Sequence, residues 1–384
     1  MKVMVNAISA EVGGAITYTH NLMRSLAERN VDVIYALSHD FPLELDVPVI
    51  RLSANRMPPV RRVIWGQTIW RRIVAKHKPD VLFSSADFGL LAPPVPQVLL
   101  VLEGGLFDSF YLANIAPSLN VLALFRRMAK RKLIIASARA SRFVLTPTKA
   151  TKNMLVSWAG DLEGSVQENQ YGTIPGLFNA TPHIRRWKKD GILKLLYVST
   201  YYPHKQPGLI VEAVAQLNGQ GIPCHLTLTM ELDRIAKTPG GDKDLFLLHK
   251  AIERKQVTMI GNVSYRQLPN IYRGHDLFIF PSLSETFGHP LVEAMSTGLP
   301  VIASDTPVHR EVCKDSALYF SPLSPFDLAR QIRNLEKNEA LRNSLVERGH
   351  QNVANNFIWE THVDRLLDIF GKVAGMPVKK GISL

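Results

Sequence analysis

Short apolar runs of strand length alternate with helical patterns along this chain, and the series begins twice. The alternation predicts βαβ units and parallel sheets, because parallel strands need a crossover connection that is usually a helix. Two series predict an α/β protein with two doubly wound sheets, whose ligands are expected at the C-terminal ends of the strands. The runs are Val3–Ala7, Val31–Ala36, Val81–Ser84, Val98–Leu102 and Phe143–Thr146, then Leu193–Ser199, His225–Met230, Thr258–Ile260, Leu277–Phe280 and Val301–Ala303.

The length of the chain also favours two domains. Single hydrophobic cores rarely grow beyond about 250–300 residues, and this chain has 384. The stretch TIPGLFNATP at residues 173–182 is rich in turn formers and predicts the joint. We therefore expect an N-terminal domain over residues 1–182 and a C-terminal domain that begins at residue 183.

Cysteine usage and hydropathy exclude several classes of protein. The two cysteines, Cys224 and Cys313, are far apart, and no CxxC spacing occurs. This argues against a disulfide framework or a zinc site and suits a reducing compartment. The N-terminal stretch MKVMVNAIS has the pattern of a first strand, not of a signal peptide. No run reaches the roughly 20 apolar residues of a spanning helix, so we expect a soluble protein or one attached to a membrane surface.

The formal net charge is +12, and the excess lies in the first half, where residues 1–190 hold 24 Lys and Arg against 14 Asp and Glu. Basic residues cluster over residues 61–78 and 126–142. In the second cluster they are mixed with Leu, Ile, Phe and Met, which favours a helix face that rests on anionic lipid. Nucleic acid is a competing partner for such charge, and a solvated helix face is the alternative for either cluster.

The stretch PSLSETFGHPLVEAMSTGLPVIASD at residues 281–305 is the most informative about chemistry. Glu285 and Glu293 are separated by seven residues, with a Phe-Gly pair between them. The pattern predicts a loop, a helix, a turn and a buried strand. Helix N-termini attract phosphate, because their first N–H groups lack partners and carry the positive end of the dipole. Carboxylates beside such a site suit the vicinal hydroxyls of a sugar or a ribose.

This stretch resembles the E-x7-E motif of retaining glycosyltransferases with the GT-B fold, and most closely family four, which uses nucleotide-sugar donors. The resemblance is weak over residues 40–170. It implies two Rossmann-like domains that face each other across a cleft. The C-terminal domain would span residues 183–356, and a final helix over residues 357–372 would pack back on the N-terminal domain. The implied reaction needs no metal and no other cofactor.

The resemblance implies roles for the residues of this stretch. Glu285 would hold hydroxyls of the donor sugar, and Glu293 would bind the ribose. Phe287 and Gly288 would present backbone N–H groups to the donor, and Thr286 belongs to the same donor loop.

A Gly-Gly pair, Gly13 and Gly14, follows the first strand and opens a helix. Glycine lets a backbone pass close to a ligand because it has no Cβ. The segment GGAITYTHNL resembles the glycine-rich loop of the family, which implies that both glycines face the donor diphosphate.

The segment VSTYYPHKQPG at residues 198–208 resembles the family motif in which an arginine and a lysine clamp the phosphates. Lys205 aligns with the lysine, and its ammonium would neutralise the leaving diphosphate. The place of the arginine falls at or near Thr200, so the chain departs from the family there. The hydroxyls of Ser199 and Thr200, or His204, could substitute, although a neutral donor stabilises charge less than a guanidinium.

Family members commonly carry a His-Asp pair after a strand in the middle of the N-terminal domain. Here Glu103 takes roughly that place, after Val98–Leu102, and it would bind an acceptor hydroxyl or be a simple loop residue.

Two further patterns are interpreted as having no role in the site. Asp242-Lys243-Asp244 is a D-x-D, but it does not end an apolar strand as a metal–diphosphate motif should, so we expect it to be solvated. His309 and Arg310 follow the strand Val301–Asp305 and could line the site, and the interpretation favoured for both is the protein surface.

The sequence therefore predicts a retaining hexosyltransferase that moves a sugar from a nucleoside-diphosphate sugar to a hydroxyl of a saccharide or a lipid-linked glycan, in the synthesis of cell-surface polysaccharide or lipopolysaccharide. The alternatives are a GT-B nucleotide-sugar epimerase and a non-catalytic protein that binds polysaccharide or membrane. We expect a cytoplasmic protein, with a peripheral place on the inner face of the membrane and no nucleic-acid partner.

Overall fold

The computed structural model describes residues 1–11, 14–115, 121–173, 177–178 and 187–375. The chain forms two compact units. Unit 1 comprises Met1–Phe107, Leu119–Tyr171 and Trp359–Leu384, and unit 2 comprises Asp108–Ser118 and Gly172–Ile358. The helix Ser109–Ile115 therefore groups with unit 2, although the predicted boundary at residue 182 assigned it to the N-terminal domain.

Unit 1 contains a seven-stranded parallel sheet in the order β3-β2-β1-β4-β5-β6-β7. The inner strands are mostly apolar because both faces of a parallel sheet are covered. Val3 of the first strand, for example, lies opposite Val33 on one side and Val81 on the other. The strands are β1 (Lys2–Ala7), β2 (Asp32–Ser38), β3 (Val49–Leu52), β4 (Val81–Ser84), β5 (Gln97–Leu100), β6 (Phe143–Thr146) and β7 (Val166–Glu168).

Helices cover both faces of this sheet and build two cores. Met4, Leu82 and Trp70 belong to one core, and Leu99, Val144 and Ile134 belong to the other. The helices of unit 1 are α1 (Gly14–Glu28), α2 (Pro59–Trp65), α3 (Arg71–His77), α5 (Val121–Arg139), α6 (Lys149–Trp158) and α15 (Trp359–Val373), and a π-helical segment, Gly66–Trp70, joins α2 to α3.

The last described helix, α15, packs within unit 1 against α1. Trp359 Nε1 donates a hydrogen bond to Ser25 Oγ at 2.8 Å, and the His362 ring contacts Tyr18, whose hydroxyl lies 3.2 Å from Nε2. The Phe370 ring centre lies 5.3 Å from that of Phe83 in β4. Each fully buried aromatic side chain of this kind stabilises the fold by about 1.5–3 kcal/mol.

Unit 2 contains a six-stranded parallel sheet in the order β10-β9-β8-β11-β12-β13. The strands are β8 (Leu193–Tyr197), β9 (Cys224–Leu228), β10 (Val257–Met259), β11 (Leu277–Phe280), β12 (Val301–Ser304) and β13 (Ala317–Phe320). The helices are α4 (Ser109–Ile115), α7 (Pro207–Gly219), α8 (Leu232–Lys237), α9 (Asp242–Glu253), α10 (Leu268–Arg273), α11 (His289–Ser296), α12 (Pro307–Cys313), α13 (Pro325–Lys337) and α14 (Glu339–Asn356).

The predicted α/β class with two doubly wound sheets is confirmed. Three strands, β3, β7 and β13, were not predicted from the sequence. β3 is half-buried along its whole length and contains Arg51. β7 has only three residues, and β13 carries half-buried Leu318 and Tyr319. In β3 and β7, Arg51 and the polar pair Gln167-Glu168 interrupt or end the apolar run, whereas β13 is apolar at all four positions and was not recognised.

Candidate functional site

The candidate site of unit 2 is built by the loops that follow β8 and β11. These two parallel strands are neighbours in the sheet, so their carboxyl ends carry both loops to the same edge. The loops also join directly, because Leu283 N–H donates a hydrogen bond to the carbonyl of His204 at 2.9 Å. In doubly wound sheets this edge is where ligands bind.

Lys205 and Glu285 form an ion pair between the two loops. Their side chains are only 13% and 14% exposed. Lys205 ends a short 3-10 turn, Pro203–Lys205, and its carbonyl accepts a hydrogen bond from Tyr197 Oη at 2.9 Å. Sequence reasoning proposed the two residues separately, and the structure brings them together.

Burial alone would raise the pKa of Glu285. The charges of Lys205 and His204 and the hydrogen bonds from Lys205 and Ser282 together outweigh the effect of burial, so the pKa of Glu285 is lowered. The carboxylate is therefore ionised and can accept hydrogen bonds from hydroxyls, and a cation lies against it.

Gly288 connects the loop to α11 in a left-handed conformation, with φ at +85°. A Cβ at this position would lie 3.0 Å from Leu291 Cδ1 and 3.4 Å from Phe280 Cε1. Both the backbone conformation and the space therefore require glycine here. The adjacent Phe287 side chain is buried, and its ring packs edge-on against Phe357 at 5.6 Å between ring centres, so the ring anchors the loop.

Glu293 lies in α11 and is buried. Its Oε2 accepts a hydrogen bond from Tyr272 Oη at 2.8 Å, and Tyr265 provides a second hydrogen bond. Burial raises the pKa of Glu293 to about 7, although both tyrosines act in the opposite direction. No sequence pattern indicated that two tyrosines would reach this carboxylate, and the assignment of Glu293 to ribose stays a prediction.

Of the remaining residues predicted for the donor, Ser199, Thr200 and His204 follow β8, and Thr286 follows β11. Ser199 donates a hydrogen bond from Oγ to the Thr200 carbonyl at 3.0 Å, and its N–H donates to Thr229 Oγ1 at 3.0 Å. The His204 ring stacks on Tyr202, with ring centres 5.7 Å apart and planes at 10°. Thr200 and Thr286 are half-buried in their loops.

Sequence reasoning missed an arginine that contacts the same loop. Arg234, in α8, donates a hydrogen bond from Nε to the Tyr201 carbonyl at 3.4 Å, and its guanidinium lies 5.1 Å from the centre of the Tyr202 ring. The sequence feature that could have identified Arg234 is its position after β9, the strand next to β8 in the sheet.

The expectation that the whole D-x-D is solvated was wrong for Asp244. Its carboxylate accepts hydrogen bonds from Tyr201 Oη at 2.8 Å and from Gly208 N–H at 3.1 Å. Burial raises the pKa of Asp244. Asp244 thus holds the start of α7 near the loop after β8, whereas Asp242, at the first position of α9, is exposed.

The expected surface placement was also wrong for His309. This side chain is fully buried, Nδ1 lies 2.9 Å from the Ser304 carbonyl, and burial lowers its pKa to about 4. His309 is therefore neutral. Arg310 is exposed and pairs with Asp305 at 2.7 Å.

In unit 1, Gly13 lies outside the described residues, and Gly14 is the exposed first residue of α1. Glu103 follows β5 and forms an ion pair with Lys130 of α5. Its N–H donates a hydrogen bond at 2.9 Å to Asp87, a residue that sequence reasoning missed. Burial and the charge of Glu103 raise the pKa of Asp87 to about 6.

Within the described ranges, no group of three or more His, Cys, Asp and Glu side chains is arranged to hold a metal ion. The described helices also include none with the length and apolar character needed to cross a membrane.

Comparisons with known proteins agree with this architecture. Residues 12–164 match the family Glycosyltransferase Family 4, and residues 183–352 match the family Glycosyl transferases group 1. The two matches together cover most of the chain and divide it between the two units.

Relatives and a solved structure extend these matches. The chain is 37% identical to the O-antigen chain mannosyltransferase RfbU of Salmonella typhimurium over 22% of its own length and 24% of the relative. It is 26% identical to the D-inositol 3-phosphate glycosyltransferase of Geodermatophilus obscurus over 95% of this chain and 86% of that one. The crystal structure of Alr3699/HepE from Anabaena in complex with UDP and glucose superposes with a TM-score of 0.75 at 16% identity, over 97% of this chain and 100% of the other.

The fold and the site thus define the class of the protein, which is that of the GT-B glycosyltransferases. Within this class, the chain belongs to family four, the glycosyltransferases of group 1.

Proposed function

We propose that this protein is a retaining hexosyltransferase that moves a sugar from a nucleoside-diphosphate sugar to a hydroxyl of a saccharide or a lipid-linked glycan. The observation that carries the proposal is the Lys205–Glu285 ion pair, held at the carboxyl edge of the unit 2 sheet beside the start of α11. The pair offers a cation for a departing diphosphate and a carboxylate for sugar hydroxyls.

The proposed reaction replaces one bond at the anomeric carbon by another on the same face. The bond from the anomeric carbon to the diphosphate oxygen breaks, and a bond to the acceptor oxygen forms. The acceptor hydroxyl gives its proton to the departing phosphate, so the protein itself need not take it.

The main task of the protein in this reaction is electrostatic. Lys205 stabilises the negative charge that develops on the leaving diphosphate, and backbone N–H groups around Thr286, Phe287 and Gly288 approach the same charge. Fixed dipoles and charges of this kind are often the largest single contribution to catalysis, because they need no reorganisation when the charge appears. Glu285 orients the donor sugar by accepting its hydroxyl hydrogen bonds.

The remaining assignments follow from the same proposal. Glu293 would bind the ribose, and Ser199, Thr200 and His204 would complete the phosphate clamp. In unit 1, Gly13 and Gly14 would face the diphosphate, and Glu103 would bind an acceptor hydroxyl. Transfer would need neither a metal ion nor another cofactor.

The proposed reaction is a step in the synthesis of cell-surface polysaccharide or lipopolysaccharide. Its proposed location is the cytoplasmic face of a membrane. The similarity to RfbU, an O-antigen chain mannosyltransferase, supports a polysaccharide product, and the UDP bound to Alr3699/HepE supports a nucleotide-sugar donor. The aligned part is 24% of RfbU. The basic first half of the chain supports a peripheral membrane location.

A thermal-shift screen with GDP, UDP and ADP tests the proposal first. A ligand of the native state raises stability by mass action, so the cognate nucleotide should raise Tm. The matching nucleotide sugars are then incubated with the protein and with a Lys205→Met variant. Release of the nucleoside diphosphate by the wild type, and its loss in the variant, is expected.

The screen also separates the alternatives. A non-catalytic binder of polysaccharide or membrane would release no nucleotide. A nucleotide-sugar epimerase would invert a stereocentre of the donor sugar and form no glycosidic bond to an acceptor. Absence of stabilisation by all three nucleotides would refute the proposed donor site.

A further inference from the structure

The helix α5 presents an apolar face to solvent. Val121 is 83% exposed and Phe125 is 67% exposed, and Leu122 and Met128 are exposed as well. Positions 121, 125, 128 and 132 follow the helical repeat and therefore share one face. Two cations accompany them, since Arg126 and Lys132 are also exposed. We name this set the α5 surface, which consists of Val121, Leu122, Phe125, Arg126, Met128 and Lys132.

The opposite face of α5 belongs to the interior of unit 1. Ile134 and Ala138 are buried in its core. Arg127 donates a hydrogen bond to the Gly105 carbonyl at 2.7 Å, and the Arg131 guanidinium lies 3.6 Å from the centre of the Trp158 ring. Lys130 pairs with Glu103. The basic cluster of this helix is therefore divided. Arg127, Lys130 and Arg131 make contacts within unit 1, the exposed Arg139 pairs with Asp161, and Arg126 and Lys132 are exposed.

The combination of exposed apolar groups and cations indicates the chemistry of a partner. Contiguous exposed apolar side chains are rare on soluble proteins unless they serve an interaction. A twofold pairing of two copies through this face would bring the cations of both copies together, which is unfavourable because α5 contains no acidic residue to pair with them. An anionic lipid surface complements both components, because apolar side chains enter the acyl boundary while Arg and Lys remain among the headgroups.

We propose that the α5 surface docks the protein on an anionic lipid bilayer. Phe125, Val121, Leu122 and Met128 insert at the boundary of the acyl chains, and Arg126 and Lys132 contact the headgroups. This inference deepens the proposed function by naming the surface through which the enzyme reaches a membrane that carries its acceptor.

The test uses the full chain and sedimentation with vesicles. One set of vesicles contains phosphatidylcholine alone, and the other contains about one-third phosphatidylglycerol as the anionic component. Binding is measured at ~50 mM and ~500 mM salt, where the Debye length differs several-fold. The variants are Phe125→Ser and the double variant Arg126→Gln/Lys132→Gln.

Matched controls lie on another helix. In α13 of unit 2, Phe326 is 68% exposed, and Arg330 is exposed four residues later. Phe326→Ser and Arg330→Gln change the same types of side chain at a comparable exposure, but outside the α5 surface. Both controls should bind vesicles as the wild type does.

The wild type is expected to bind only the anionic vesicles at low salt and to be released as salt rises. Phe125→Ser should weaken partitioning on the order of tenfold, because a buried aromatic group is lost from the lipid boundary. The double charge variant should weaken low-salt binding by about 25-fold, at about five-fold for each cation.

Three results would overturn the proposal: a wild type that ignores anionic vesicles at low salt, an equal loss in the α13 controls, or unchanged binding in Phe125→Ser. If Phe125→Ser instead changes the molar mass measured by light scattering and leaves vesicle binding intact, the surface pairs two copies of the chain. The nucleotide screen reports on the proposed function separately. A protein that docks on vesicles but binds no nucleotide would retain the α5 surface and lose the proposed reaction.

Discussion

Replacing Lys205 by methionine isolates the electrostatics of the candidate site. The substitution keeps much of the side-chain volume and removes the charge, which leaves Glu285 without its counterion. Both side chains are mostly buried, at 13% and 14% exposed. Removal of one partner of a buried ion pair typically costs about 3–5 kcal/mol, because the remaining charge stays desolvated and uncompensated. We expect a loss of this size in the free energy of unfolding at pH 8.

The double variant Lys205→Met/Glu285→Gln should recover much of this loss. It leaves no buried charge, and replacement of a buried pair by neutral groups is often close to neutral in stability. We expect the double variant to be more stable than Lys205→Met by about 2–4 kcal/mol. An exposed pair in the same unit, Lys194–Asp190, provides the matched control, and Lys194→Met should cost no more than about 1 kcal/mol.

The dependence on pH gives the prediction a second measurement. Without Lys205, burial raises the pKa of Glu285 above its ordinary value, because burial is the largest influence on this group. An acid whose pKa is raised by folding destabilises the fold when ionised and no longer does so when protonated. The penalty of Lys205→Met should therefore be largest at pH 8 and shrink toward pH 5.

Urea unfolding at pH 5 and pH 8 measures these differences for five proteins, which are the wild type, Lys205→Met, Glu285→Gln, the double variant and Lys194→Met. A loss in Lys205→Met as small as that in Lys194→Met would contradict the predicted cost of breaking the buried pair. A double variant as unstable as the sum of Lys205→Met and Glu285→Gln would show that the two charges do not interact.

Three further predictions concern nucleotide binding by Glu293, the effect of Glu293 on stability, and the need for a metal ion. Glu293→Ala should weaken nucleotide binding by about 1.5–3 kcal/mol through loss of a charge-assisted hydrogen bond, and an unchanged affinity in calorimetry would remove Glu293 from the site. Folding raises the pKa of Glu293 from 4.5 to about 7, so ionisation of this group lowers the free energy of unfolding by about 3 kcal/mol. The stability of Glu293→Gln relative to the wild type, measured by urea unfolding, should therefore rise by up to that amount between pH 4.5 and pH 8. A difference in stability that does not change with pH would contradict the raised pKa. EDTA should leave sugar transfer intact, since Asp244 of the D-x-D is engaged by Tyr201 and Gly208, whereas turnover that EDTA abolishes and manganese restores would show that a metal is required.

Sequence patterns predicted the inner strands because their signal is local. A central strand of a parallel sheet is covered on both faces, so it is mostly apolar, as in Val81–Phe83 and Leu277–Phe280. Among the edge strands, β10 was predicted. β3 and β7 were missed because charged or polar residues interrupt or end their apolar runs, and the apolar β13 was not recognised.

The sequence by itself determined two doubly wound units and the residue types of the site, because hydrophobic periodicity and the E-x7-E spacing are properties of neighbouring residues. Only the tertiary structure decided which charges meet. Lys205 and Glu285 are 80 positions apart and form an ion pair through the adjacency of β8 and β11. The same folding buries Glu293 under two tyrosines and turns one face of α5 inward while Arg126 and Lys132 stay exposed. Burial and charge pairing depend on contacts between distant segments, and no local pattern encodes them.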